Sequence, residues 1–388
     1  MRAVPLRLIL AEQRNDVGSR VGARELHAPR SGPLPLPSAS FRWDSAFGCA
    51  GAPFVSPADT LSPAPVGSGP LQARHRAARR ALVATIPHDA LRGLHHLDVW
   101  RHLAVVARVV GLAALSTVAL VQTSQPWLWP FAIAWQGTTV LACTILLHEV
   151  VHDTVVPVAL RRRYPWLPRV LALAYALPAG LSPSQFARWH LDHHDHLGSS
   201  TDDPKRAYLS PRRNARWLKL LYFTPALFVI YARASGRAVA GYPPDLRRRI
   251  GIERRVAIGA HLSLLAALVA WGGWGLALRV HVLPVFLAFP VWFALNRVGQ
   301  HYDIVPDDPA RWSTRMRRSR FWEFVFLWSN HHHEHHALPR VPFYRLAELH
   351  DRSAAFAEQH GLEERTYRQL LWGWVVQNQP PHARWTGR

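Results

Sequence analysis

Cysteine and methionine are almost missing from this chain of 388 residues, which has two of each. Cys49 and Cys143 are too few for a disulfide framework or a cysteine-based zinc site, and no iron–sulfur cluster can be built on them. Charge is scarce too. Charged residues make up 18%, against roughly 25% in soluble domains. Acidic residues are the scarcer sign, 25 against 46 lysines and arginines, which leaves a formal charge of +21. With 49% hydrophobic residues, a chain disordered throughout is excluded. Such a basic chain suits an anionic membrane surface, an acidic partner or nucleic acid. The 17 tryptophans favour the membrane, because tryptophan gathers at the headgroup boundary. The arginines track the apolar runs, so nucleic acid is not expected as a partner.

Residues 1–75 are rich in proline, glycine, serine and alanine and carry no apolar period. They are expected to be a low-complexity, disordered extension, and residues 76–388 a membrane domain. A signal peptide at residues 5–10 is cut off too early by Glu12, Arg14 and Asp16. A translation start near residue 70 is a further alternative. Long apolar runs cover about 103–121, 127–147, 256–271 and 280–296. The first two, at about 20 residues, each span ~30 Å of hydrocarbon. A short polar break joins them, and a glycine-rich one, Gly272 to Gly275, joins the second pair. Arg108, inside the first run, must snorkel or face the bundle. Two weaker, proline-interrupted runs, 167–181 and 217–232, read either as spans or as interfacial helices. Arginine clusters lie between the two pairs and after the second, whereas the pair tips carry almost no charge. The positive-inside rule then favours four spans, two hairpins, with both termini and a helical cap in the cytoplasm. The membrane expected is a bacterial inner membrane.

Histidine is the abundant residue. Twelve of the 23 fall in four clusters. His148 and His152 are four apart, so a helix puts them on one face. His190, His193 and His194 are spaced i, i+3 and i+4, followed by His196. His301 stands alone after the last run. His331, His332, His333, His335 and His336 repeat the i, i+3, i+4 pattern. One HxxxH proves nothing, but two HxxHH clusters beside it make coincidence improbable. Every cluster lies at or beyond the cytoplasmic end of a run, so all can meet in one layer. Nine imidazoles exceed the three or four protein ligands of one zinc. They suit two ions with open positions, and oxygen chemistry selects iron. The rival is His148-Glu149-x-x-His152 as the HExxH of an intramembrane zinc protease. It leaves both HxxHH clusters unexplained.

Residues from about 95 to 360 resemble the membrane fatty acid desaturase family. Its three histidine boxes stand here as His148 with His152; His190 with His193 and His194; and His332 with His335 and His336. Asp202-Asp203-Pro204 after the second box, and Ala337 to Arg345 after the third, also fit. The resemblance implies an all-α, four-span bundle whose cytoplasmic cap holds two irons on those eight histidines. It implies a ninth ligand after the fourth span, which maps to His301. Asp153, Asp192, Asp195 and Glu334 are candidates to orient ligand imidazoles. His196, His331, His333, His95, His96 and His102 are not expected to be ligands. The first box has the shorter HxxxH spacing, which weakens an acyl-CoA substrate and favours lipid-linked acyl chains, sphingoid bases or carotenoids.

The implied reaction inserts a double bond into an acyl or sphingoid chain using O₂ and two external electrons. A ferredoxin-like or cytochrome b5-like carrier is the expected donor. The same fold also supports lipid or carotenoid hydroxylation and ketolation. A buried apolar tunnel is required, with Trp189, Phe321, Trp322 and Trp328 as candidates to line it.

Overall fold

The computed structural model describes residues 70–380, apart from 200–201, 206–210, 212, 303 and 306–307. The expected disordered extension therefore lies outside the described residues up to residue 69. At Pro70 a helix has already begun, ahead of the boundary drawn at 75. Among the described residues all regular structure is helical, and Met316 and Arg365 form an isolated β-bridge. The main helices are α1 (Pro70–Ala84), α2 (Val99–Gln122), α3 (Trp129–Val151), α4 (Leu167–Ala176), α5 (Pro183–Asp195), α6 (Ala226–Ala240), α7 (Pro244–Ala277), α8 (Phe289–His301), α9 (Arg320–Val325), α10 (His332–Ala337) and α11 (Leu346–Arg352).

Three helical tracts among the described residues are long and apolar enough to cross a membrane: Val99–Gln122, Pro126–Val151 and Pro244–His301. The Asp98 side chain caps α2 by accepting from Arg101 N at 3.0 Å. The α2 and α3 helices pack along their length. Gly137 on α3 is needed for close approach, because a Cβ there would meet the Ala288 side chain at 2.6 Å. The third tract is not straight. Gly273 has φ 71 and ψ −178, a conformation essentially restricted to glycine, and the chain turns back there. His261 and His281 flank the turn, and their ring nitrogens lie 3.2 Å apart. Twenty residues of straight helix would separate them by about 30 Å. The weaker runs make shorter helices: the first covers Leu167–Ala179 and the second contributes to α6, 15 residues long.

Exposed tryptophans gather near the ends of the apolar tracts. Trp127 lies between α2 and α3, Trp271 and Trp274 beside Gly273, and Trp100 at the start of α2. Tryptophan is the residue that gathers at headgroup boundaries. Arg108 neither leaves the bundle surface nor pairs with a carboxylate among the described residues. Its guanidinium lies over the Phe324 ring at 4.3 Å and donates to the Phe324 carbonyl.

One apolar core continues from the spans into the cap. It includes Leu82 of α1, Val105 of α2, Ile145 of α3 and Val298 of α8, then Phe326, Phe343 and Leu349. The histidine-bearing segments are fixed against this core.

Candidate metal centre

Local sequence explains why each box is rigid. The α5 helix starts at Ser182, whose side chain accepts from Gln185 N, with Pro183 in the first turn. Glu253, reaching from α7, accepts from Ser182 Oγ at 2.5 Å, Ser184 N at 3.0 Å and Ser184 Oγ at 2.6 Å. A buried carboxylate thus sits on the positive end of the second-box helix. Before the third box, Leu327 and Trp328 have positive φ values of 46 and 58, a sharp turn between α9 and α10. Arg101 and Arg108 both stack on Trp328 at 6.0 Å.

The structure brings together all nine histidines singled out in the sequence, in two groups. His148, His152, His190, His194 and His335 form one; His193, His301, His332 and His336 form the other. Within each group one nitrogen per ring lies within 4.8 Å of every other. In the first, Nε2 atoms are 3.0 Å apart for His148–His335, 2.6 Å for His152–His190 and 3.1 Å for His194–His335. In the second, they are 2.9 Å apart for His193–His301 and 3.0 Å for His332–His336. The His194 and His336 rings, one from each group, are 4.3 Å apart.

The arrangement fits a cation. Nδ1 of His148 faces Glu149 Oε1 at 3.0 Å, Nδ1 of His193 faces Asp203 Oδ1 at 2.8 Å, and Nδ1 of His301 faces the Trp312 carbonyl at 3.0 Å. These partners only accept, so each ring carries its proton on Nδ1 and a bare lone pair on Nε2. The bare nitrogens of His193 and His301 then face each other, where no hydrogen bond can form. A cation between them converts that repulsion into coordination. Burial, reinforced by neighbouring charge, also holds His152, His190, His193, His194, His332, His335 and His336 well below the ordinary imidazole range. Neutral imidazole is the form that binds metal. The donor set, nitrogen-rich and divided five and four, fits two ions.

The candidate orienting carboxylates fare differently. Asp153 pairs with Arg161 and Arg340, and Asp192 with Arg188. Asp195 ends α5, its carboxyl pushed up to about 6 by burial. Glu334 is fully buried but accepts from Arg315 and His350, forming with His331 a separate buried trio. The groups that do accept from imidazoles of the two groups are Glu149, Asp203 and the Trp312 carbonyl. The signals for two of them were adjacency to His148 and the Asp202-Asp203-Pro204 motif; a backbone carbonyl gives no signal. His196, His331 and His333 stay outside both groups, as do His95, His96 and His102. Of the aromatic candidates, Phe321 is exposed, Trp322 stacks on Phe326, and Trp189 meets Tyr231.

Glu149 also decides against the protease geometry. Its carboxylate is turned to the Nδ1 side of His148 and is held there by Thr154 Oγ1 at 2.6 Å and Phe343 N at 3.1 Å. A general base must face the metal side of the ring.

The fatty acid desaturase family model matches residues 124–368, well over half the chain. The chain belongs to the fatty acid desaturase family. Among its relatives are the sphingolipid delta(4)-desaturase/C4-monooxygenase DES2 of Bos taurus and that of Homo sapiens, each 24% identical over 80% of this chain and 91% of the relative. The chloroplastic omega-3 fatty acid desaturase of Glycine max is 24% identical over 65% of this chain and 60% of its own length. Membership makes the protein an oxidoreductase of lipid metabolism, in keeping with its apolar helices. The matched segment contains all nine histidines.

Proposed function

We propose that this chain is an integral-membrane di-iron lipid desaturase acting on an acyl or sphingoid chain. The observation that carries the reading is the pair of adjacent imidazole groups, five and four, with bare nitrogens turned inward. In this reading the protein crosses the bilayer four times as two hairpins, with the cap and both termini cytoplasmic. The reversal at Gly273, the tryptophans near the tract ends and the arginine-rich connections support that topology. The bacterial inner membrane rests on the sequence alone, since the relatives are mammalian and plant proteins.

His148, His152, His190, His194 and His335 would hold one iron, and His193, His301, His332 and His336 the other. When bound, the irons supply the oxygen chemistry needed to remove hydrogen from an unactivated methylene. Overall, a CH₂–CH₂ unit, O₂, two electrons and two protons give CH=CH and two waters. The chain's own residues prepare that chemistry. Glu149, Asp203 and the Trp312 carbonyl keep their ring protons on Nδ1. Burial keeps the second- and third-box imidazoles neutral, and the core that runs from α3 to Phe343 excludes water. The electrons come from a ferredoxin-like or cytochrome b5-like carrier docking on the basic cytoplasmic face. A same-fold hydroxylase is the second reading, because the mammalian relatives' name joins desaturase with C4-monooxygenase.

The test is expression of the full chain with a ferredoxin and its reductase, with total lipids profiled by mass spectrometry. Species lighter by two hydrogens, absent with His335→Ala or His193→Ala, are expected. Species heavier by one oxygen move the assignment to hydroxylation. An active His335→Ala enzyme overturns the ligand assignment.

A further inference from the structure

The α1 helix lies before the segment matched by the family, yet it reaches the metal centre. Arg79 donates to the Ala337 carbonyl at 2.7 Å, one residue beyond His336. His75, one turn earlier, packs against Trp312 with ring centres 5.5 Å apart, and the Trp312 carbonyl is the group that holds His301. Between α1 and the third box is a small, largely apolar cavity of about 20 Å³ with His75, Arg79, Ser313, His333 and His336 in its wall.

Two buried nitrogens in this wall lack a protein partner: His336 Nδ1 and His333 Nε2. His336 lacks a support that two members of its group have. Both His193 and His301 have an acceptor at Nδ1, whereas His336, 2% exposed, has none. A buried imidazole N–H without a partner is destabilising, and a ligand imidazole normally donates its second nitrogen to something. About 20 Å³ is room for one ordered water, which is stable with two to four partners. Such a water accepts from His336 Nδ1–H and has two protons to give, to His333 Nε2 and to the His75 ring. Ser313 Oγ, 3.2 Å from His333 Nδ1, accepts that ring's proton and leaves Nε2 free to accept.

We propose that His75 is a positioning residue for His336: through a water in this cavity it keeps the His336 proton on Nδ1 and presents Nε2 to the metal. The inference rests on the reading that the nine histidines hold iron. It makes α1 part of the centre's support, although the reaction itself touches none of it.

The experiment uses the purified full chain loaded with ferrous iron, and measures iron per chain during competition with a graded chelator. His75→Phe keeps a ring to pack against Trp312 but offers no polar atom; His75→Gln restores one. For His75→Phe, the weaker-held iron should dissociate at about 10- to 100-fold lower chelator concentration. His75→Gln should return most of the affinity, and the thermal midpoint of the metal-free protein should be the same for all three. Equal iron retention in wild type and His75→Phe overturns the proposal while leaving the di-iron reading intact. A metal-free midpoint that falls equally in both variants, with no rescue by glutamine, also overturns it, because His75 is then only packing. A wild-type chain that takes up no iron overturns both readings together.

Discussion

Asp203 shows how one side chain prepares a ligand. It is buried, accepts from His193 Nδ1 at 2.8 Å, and also takes the Lys205 backbone N–H at 2.9 Å. Removing it leaves a buried imidazole free to turn or to change tautomer. Asp203→Ala should lower metal affinity by about 10- to 100-fold, with Asp203→Asn intermediate, as read by metal content after dialysis. Glu323 works on another property. The His331 ring, together with Arg318, holds its carboxyl down to about 2 from the usual 4.5. Its folded value is depressed, so its stabilisation is present above the unfolded value and is lost as pH falls towards 2. Wild-type thermal stability should therefore drop between pH 4.5 and 2, and Glu323→Gln, less stable at neutral pH, should show a shallower drop. Equal slopes in a melting series across that window would remove Glu323 from the account.

At the scale of the element, the spacing of the boxes acquires a meaning that sequence alone does not supply. Residues i and i+4 share a group: His148 with His152, His190 with His194, and His332 with His336. The i+3 residue crosses over, so His193 leaves the second box for the other group and His335 leaves the third. An HxxHH helix therefore ties two sites together, and an HxxxH helix serves one. The sequence spacing put the residues of each box on one face of a helix and stopped there, because the division depends on how three helices meet. The capping of α5 is likewise invisible in sequence. Glu253 lies 69 residues from Ser184 and reads as one charge in a basic helix. Glu253→Ala removes three hydrogen bonds to a buried carboxylate. It should lower unfolding free energy by about 2–3 kcal/mol, measured by denaturant titration in detergent. A double-mutant cycle with Ser184→Ala should show coupling between the two; strict additivity would mean that the contact stores nothing.

For the whole molecule, the sequence carried much of the architecture. Long apolar runs, glycines at the reversal and arginines in the connections are local signals, and they survive any packing. The nine histidines were legible because residue type and spacing suffice. The helix at Pro70 was not legible, since a basic stretch shows its purpose only where Arg79 meets Ala337. Glu149 was misleading, because HExxH says nothing about which side of the ring the carboxylate faces. The formal charge of +21 makes one global prediction. Reduction by an acidic carrier should slow as ionic strength rises from low to physiological, where the screening length falls to about 8 Å. Stopped-flow rates that ignore salt would rule out electrostatic steering. A last consequence comes from chain order. His148 meets His335 across 187 residues, so the first box must wait for the third to leave the ribosome. At 5–20 residues per second that delay is roughly 10–40 s. Both tracts that lead into the boxes are then already made, so in the proposed di-iron reading metallation follows insertion. Iron starvation should then leave an intact but unloaded pool that later iron can rescue without new synthesis.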